Sequence, residues 1–257
     1  PTMQSQEGLS FWDHLDVLRS VLIKIVAIVG VLMVVAFCFK QQLFDVVLAP
    51  KEPDFFFYRL FGGGDFNVDL INTRLASQFT IHMKVACYAG VLLASPYIIY
   101  QLFTFISPAL YANERKYAVW GTLSGYFLFM AGVLLNYFII FPLTFRFLAT
   151  YQVSETVVNT ITLSSYVDTL MSLSWLMGVV FELPLLCWIL SKLGVLQSSF
   201  MTVYRRHAIV AILILAAIIT PTADIVTLLA VTLPIYMLYE VGIFIVRRNE
   251  KRLLRKA

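Results

Sequence analysis

Residues 85–113 read VACYAGVLLASPYIIYQLFTFISPALYAN and residues 117–145 read YAVWGTLSGYFLFMAGVLLNYFIIFPLTF, and neither stretch holds a Lys, Arg, Asp or Glu. A hydrocarbon core about 30 Å thick is crossed by about 20 mostly apolar helical residues. Each stretch exceeds that length, which predicts two membrane-spanning helices with residues to spare for tilt. Between them stand Glu114, Arg115 and Lys116, so the turn of this helical hairpin lies in water. The whole chain of 257 residues fits the same solvent: 60% is apolar and 13% charged, where soluble domains carry about 45–50% and about 25%. Half the usual charge cannot cover a water-facing surface of that size, which excludes a soluble globular, disordered, collagen-like or disulfide-stapled protein.

Working outward, six segments are apolar enough to be spans, at approximately 18–39, 77–106, 117–145, 166–191, 207–220 and 225–246. They make a single all-α transmembrane domain over 1–257. The first span ends in Phe37-Cys38-Phe39, where signal-peptide cleavage requires small residues, so it is read as a retained helix. The fifth has fourteen residues between Arg206 and Pro221, roughly 21 Å of helix. That is short for an unperturbed bilayer, so either the membrane thins there or the fifth and sixth segments form a hairpin around Pro221-Thr222-Ala223-Asp224.

Twelve basic residues, among them Arg19, Arg115, Lys116, Lys192, Arg205, Arg206 and the C-terminal tail, fall on one side, and five, Lys40, Lys51, Arg59, Arg74 and Arg146, on the other. The positive-inside rule then places both termini in the cytoplasm. The outer side receives the long connections 40–74 and 146–165, and the aromatic run Phe55-Phe56-Phe57-Tyr58 suits the outer membrane interface.

Ionisable groups inside spans are costly and mark candidate sites. Glu182 is the clearest, near mid-membrane, and Pro184 two residues on cannot donate to the Val180 carbonyl, which predicts a kink beside the carboxyl group. Lys24, Lys84 and Glu240 lie nearer span ends, where long side chains reach the interface. On the inner face Asp13, Asp16 and Glu114 are carboxylates on a basic surface, suited to paired hydrogen bonds with guanidinium groups. The three cysteines and three histidines are scattered; no metal site, cofactor or redox pair is expected, and the net charge of +4 is read as membrane orientation, not nucleic-acid binding.

Several motifs carry a family resemblance: His14-Leu15-Asp16-Val17-Leu18-Arg19, Ala49-Pro50, Phe105-Ile106-Ser107-Pro108-Ala109-Leu110-Tyr111 followed by Glu114-Arg115, Phe181-Glu182-Leu183-Pro184, Thr220-Pro221 with Asp224, and Pro234 followed by Tyr239-Glu240. In order and spacing they resemble TatC, the polytopic subunit of the twin-arginine protein translocase. The resemblance implies a concave bundle with short fifth and sixth helices in the bacterial cytoplasmic (inner) membrane. It implies no enzyme, but a receptor and scaffold that binds the twin-arginine signal peptides of folded cargo and recruits single-span TatA-type and TatB-type partners. Self-association in a larger complex and energy from the proton-motive force are also implied.

By the same resemblance Glu114 is a signal-peptide-binding acid, Glu182 the intramembrane polar site, and Thr220 a partner-docking position. Leu228 stands where the family's docking Gln would be, with Thr227 or Thr232 as substitutes. Pro50, Phe105, Pro184 and Asp224 are structural positions. The family pattern His-Leu-x-Glu-Leu-Arg has Val17 in place of its Glu, and Asp13 or Asp16 is expected to supply that charge, Asp13 lying one helical turn before Val17.

Two rival functions use the same residues. A proton-coupled small-solute transporter would relay protons through Glu182, Asp224 and Glu240, but it predicts repeated halves, which the sequence lacks. An intramembrane serine protease would need Ser124 and His207 together, although His207 belongs at the inner edge of its span.

Overall fold

The computed structural model describes residues 11–61, 68–106, 115–152, 154, 160–220 and 224–254. Their helices are α1 (Phe11–Cys38), α2 (Lys40–Leu48), α3 (Phe56–Phe61), α4 (Ser77–Ile106), α5 (Arg115–Leu135), α6 (Phe141–Thr150), α7 (Leu163–Val180), α8 (Leu183–Lys192), α9 (Ser198–Val203), α10 (Arg205–Ile219) and α11 (Ile225–Leu254). Two short strands, β1 (Leu70–Ile71) and β2 (Ile161–Thr162), complete the described elements.

Five runs are long and apolar enough to cross a membrane: Leu15–Cys38, Ser77–Phe105, Val119–Thr150, Leu163–Lys192 and Ile225–Arg252. They coincide with five of the six segments expected from sequence. The remaining segment is α10, whose 15 residues amount to about 22 Å of helix. The sixth segment is not short, contrary to the family-based expectation. Helix α11 runs for 30 residues, because its polar end is held by Asn249, whose amide donates to Ser191 Oγ (3.0 Å), and by Glu250, which accepts from the Ser198 backbone N–H (2.7 Å).

The third run is interrupted by a π-helical turn, Asn136–Ile140, between α5 and α6. This widened turn immediately precedes Pro142, which has no N–H to return to the preceding turn. The helix then continues past residue 145, where the apolar stretch ends, and closes at Thr150, with Tyr151 N–H bonded to the Phe147 carbonyl (2.9 Å). The fourth run breaks at Phe181-Glu182 between α7 and α8, as Pro184 requires.

Packing centres on α6, α7 and α11. Ile140, Phe141, Tyr166, Leu173, Met177, Val231 and Ile235 are almost wholly removed from solvent there. Gly132 on α5 brings that helix equally close to α7, since a Cβ at that position would lie 2.3 Å from the Met177 carbonyl oxygen. Helix α1 is peripheral: 11% of its apolar window is buried, against 44% in the third and fourth runs. It packs along α4, which it crosses at Gly90, where a Cβ would sit 2.8 Å from Met33 N, and at His82, whose ring stacks on Phe37 at 4.0 Å.

The connections after α1 and α6 are folded together. β1 and β2 pair in parallel with Leu70 opposite Ile161 and Ile71 opposite Thr162, and Thr162 then caps α7 by accepting from Ser165 N–H (3.2 Å). Only part of the run Phe55-Phe56-Phe57-Tyr58, expected at the outer interface, is open to the surroundings. Phe57 and Tyr58 are buried and only Phe56 is well exposed, because the Tyr58 hydroxyl reaches inward to donate to the carbonyls of Pro50 (3.0 Å) and Pro142 (3.3 Å). Burial lifts the Tyr58 phenol above its ordinary pKa, opposed in part by the nearby Arg146 cation.

Candidate functional site

The break between α7 and α8 is where the fold presents chemistry. Phe181 N–H still bonds to the Met177 carbonyl (3.0 Å), and Leu186 N–H restarts the ladder on the Glu182 carbonyl (2.9 Å). Pro184 in the first turn of α8 is buried. The Glu182 side chain therefore leaves a helix end and enters a cavity of about 330 Å³ between α4, α5, α7 and α8, lined by Ser95, Ile99, Phe103, Phe129, Val179 and Leu185 among others. Its Oε1 is buried with no hydrogen-bond partner. Such a carboxyl group is costly unless a donor or cation reaches it.

Gly125 on α5 makes room for this group: a Cβ there would meet Ile99 Cγ2 and Leu185 Cδ2 at 3.1 Å and Glu182 Oε2 at 3.3 Å. On the other side of Gly125 and Leu185 lies a second apolar groove, lined by Trp120, Ser124, Pro184, Trp188 and Ile245. The helix break thus carries one carboxyl group between two apolar surfaces.

A second polar contact inside the bundle is not evident from the sequence reading. Asn136, fully buried at the start of the π turn, donates to Ser174 Oγ (2.8 Å) and more distantly to the Leu170 carbonyl (3.4 Å). An uncharged Asn within an apolar run stands out only once it is seen to face another helix.

At the opposite end from the β1–β2 pair, α9, α10 and α11 are joined by polar contacts. Arg205 forms a 2.9 Å salt bridge with Glu240, which also accepts from the Tyr236 hydroxyl (2.9 Å), and the Tyr239 hydroxyl donates to the Met201 carbonyl (2.8 Å). Lys84 is paired with Asp168 at 2.8 Å. Both Glu240 and Lys84, read as interfacial from sequence, are therefore in defined ion pairs.

The remaining expected positions are distributed as follows. Asp13 and Asp16 fall in the first two turns of α1, with Asp16 exposed, and Val17 beside it is exposed as well. Glu114 lies outside the described residues. Thr220 is buried and its hydroxyl donates to the Ala216 carbonyl (2.8 Å), and Leu228 packs against the main core. Thr227 and Thr232 are buried, with hydroxyl oxygens that have no hydrogen-bond partner. Asp224 accepts from Thr227 N–H (2.7 Å) and so starts α11. Pro50 is buried in the turn Ala49–Lys51 that Tyr58 anchors, and Phe105 is half-buried near the end of α4.

Neither rival constellation is assembled. Glu240 is engaged by Arg205, Asp224 caps α11, and neither lines the Glu182 cavity. Ser124 donates to the Gly121 carbonyl (3.0 Å), while His207 is exposed against Tyr204. Among the described residues no group of three His, Cys, Asp or Glu side chains is placed to hold a metal ion.

Residues 13–234 match the family model described as TatC, Sec-independent protein translocase protein. Among curated relatives, the Sec-independent protein translocase protein TatC of Deinococcus radiodurans is 37% identical over 236 residues, covering 92% of this chain and 85% of its own. The TatC of Aquifex aeolicus is 30% identical over 250 residues, covering 95% and 98%. A crystal structure described as the twin-arginine translocase receptor TatC superposes with a TM-score of 0.77 at 29% identity, over 92% of this chain and 99% of that one.

Proposed function

Because the chain belongs to the TatC family of Sec-independent protein translocase proteins, we propose that it is the receptor and scaffold subunit of a twin-arginine translocase. As a family member it is a multi-pass protein of the bacterial inner membrane and a transport component, not an enzyme. In the proposed arrangement six helices cross the membrane, with α10 as a short crossing where the bilayer is thinned, and both termini are cytoplasmic.

The observation that supports the reading is the Glu182 cavity: an apolar recess wide enough for helical side chains, with a single carboxyl group where α7 breaks into α8. A signal peptide combines two arginines with an apolar segment. Glu114, with Asp13 or Asp16, would hold the guanidinium groups at the cytoplasmic face, and the apolar segment would follow the concave surface toward Glu182. TatA-type and TatB-type single-span partners would dock near Thr220 and Leu228, without the hydroxyls of Thr227 and Thr232, which are buried within the chain.

Site-specific photocrosslinking from position 114 tests the receptor role. A signal peptide carrying Arg-Arg is expected to crosslink and the Lys-Lys version to crosslink weakly, since Lys offers no bidentate fork. Equal crosslinking of both would overturn the assignment.

A further inference from the structure

Of the four ionisable groups placed inside or near the spans on sequence grounds, two are matched within the chain, Lys84 by Asp168 and Glu240 by Arg205. Two are left over, and they are opposite in sign. Glu182 Oε1 is buried without a partner in its cavity. Lys24 is exposed and makes no hydrogen bond or salt bridge among the described residues. We propose that these two groups meet between copies of the chain, α1 of one copy lying across the Glu182 cavity of its neighbour with Lys24 facing Glu182.

Depth supports the pairing. Within the apolar run Leu15–Cys38 Lys24 lies about 14 Å from one end and about 21 Å from the other, deeper than the span-end position expected from sequence. Phe37 stacked on His82 and Met33 against Gly90 fix an antiparallel register between α1 and α4, and this register carries Lys24 to the level of Ser95 and Ile99. Both of those residues line the cavity, and Ile99 shares with Glu182 the space beside Gly125. Lys24 and Glu182 therefore lie at one depth, on different faces, and no residue of α1 lines the cavity.

The surface around Lys24 has the form of a helix seam. Val17, Ser20, Lys24, Ala27, Val31 and Val34 recur at alternating steps of three and four residues, and all are exposed. That spacing is the one that keeps a stripe facing a partner helix, and the small Ser20 and Ala27 beside Lys24 let a neighbour approach closely. The receiving surface is equally uncovered, because Leu102, Trp175, Val179 and Leu186 at the cavity are each more than a third exposed. Symmetric parallel pairing of two α1 helices would instead set Lys24 against Lys24, and like charges in low dielectric repel.

The interface is heterologous, one face meeting a different face, so it repeats head to tail and closes into a ring where the rotation allows. It stands on this geometry alone and does not require the receptor role. The neighbour's α1 and the apolar segment of a signal peptide would occupy this one cavity in turn, so the pairing belongs to the assembly without cargo; its failure leaves the crosslink from position 114 unaffected, and the converse also holds.

The test is charge reversal in trans, with the full chain in membranes and native gel electrophoresis as the readout. Lys24→Glu and Glu182→Lys are each expected to lose the self-associated species, and co-expression of the two variants is expected to restore it. In the mixture every 24–182 contact between unlike chains is again a pair of opposite charges. Retention of the species in both single variants would overturn the proposal. So would rescue by the double variant in one chain but not by the mixture, which would place the pair within one molecule.

To separate loss of pairing from loss of folding, a tagged Lys24→Cys chain and a differently tagged Glu182→Cys chain are co-expressed without the native cysteines and oxidised. A crosslinked species carrying both tags is expected. A 24–24 crosslink alone, or no crosslink between properly inserted chains, would overturn the proposal.

Discussion

The side-chain amide of Asn136 donates a 2.8 Å hydrogen bond to Ser174 Oγ, tying the π turn after α5 to the middle of α7. Both partners are buried, so the bond has no aqueous competitor. Interhelical hydrogen bonds in membrane proteins contribute modestly, about 0.6 kcal/mol on average, but Asn136 also fills a closely packed site. Asn136→Ala is expected to lower stability in detergent by about 2 kcal/mol, and Ser174→Ala by about 0.5 kcal/mol. Thermal or chemical denaturation of the purified chain checks both, and equal losses would show that the bond, not the packing, is the main contribution.

The glycines of α1 and α5 differ in what surrounds them. A Cβ at Gly132 would lie 2.3 Å from the Met177 carbonyl oxygen, whereas one at Gly30 meets nothing within 4 Å. Gly132→Ala must push α5 from α7 and is expected to cost about 1–3 kcal/mol. Gly30→Ala is expected to be neutral or stabilising by up to about 1 kcal/mol through helix propensity. Parallel denaturation curves of the two variants decide the comparison.

Tyr58 ties two loops through the carbonyls of Pro50 and Pro142, and Tyr58→Phe is expected to lower stability by about 1 kcal/mol. Its phenol pKa is raised by burial, so the neutral form is favoured in the folded state. That contribution is complete below the unfolded-state pKa of about 10 and declines as pH rises above it. Stability curves of the native chain and of Tyr58→Phe are therefore expected to converge above about pH 10, read by denaturation in a pH series.

Val17 is exposed beside Asp16 on the first turns of α1. If Asp13 supplies the carboxylate that the family carries at position 17, Val17→Glu is expected to leave export of a twin-arginine reporter unchanged, and Asp13→Ala to reduce it strongly. A large gain from Val17→Glu would instead mean that the charge is missing in this chain.

The fold was legible where composition alone decides it. Lipid demands long apolar helices, so five of the spans could be drawn from the length of their apolar runs, and the break at Glu182 from Pro184. What depended on a partner could not be drawn in the same way. Asn136 is polar in any reading, but only contact with Ser174 makes it an interhelical bond. Phe57 and Tyr58 look like an interfacial belt until the Pro50 and Pro142 carbonyls are seen to draw Tyr58 inward. The length of α11 depends on Ser191 and Ser198, which lie more than 50 positions upstream of Asn249 and Glu250. Glu114 is read from the family resemblance and Asp13 from its position one helical turn before Val17, and neither reading decides whether the two converge.

The close approach of Met33 to Gly90 has a consequence for how the chain is made. Helix α1 leaves the ribosome before α4, yet the surface it rests on belongs to α4, whose Gly90 is added 57 positions after Met33. At roughly 5–20 residues per second, α1 waits for several seconds in lipid as a solitary helix. Its apolar sequence lets it persist there, and its lasting neighbour arrives only when the second span is inserted.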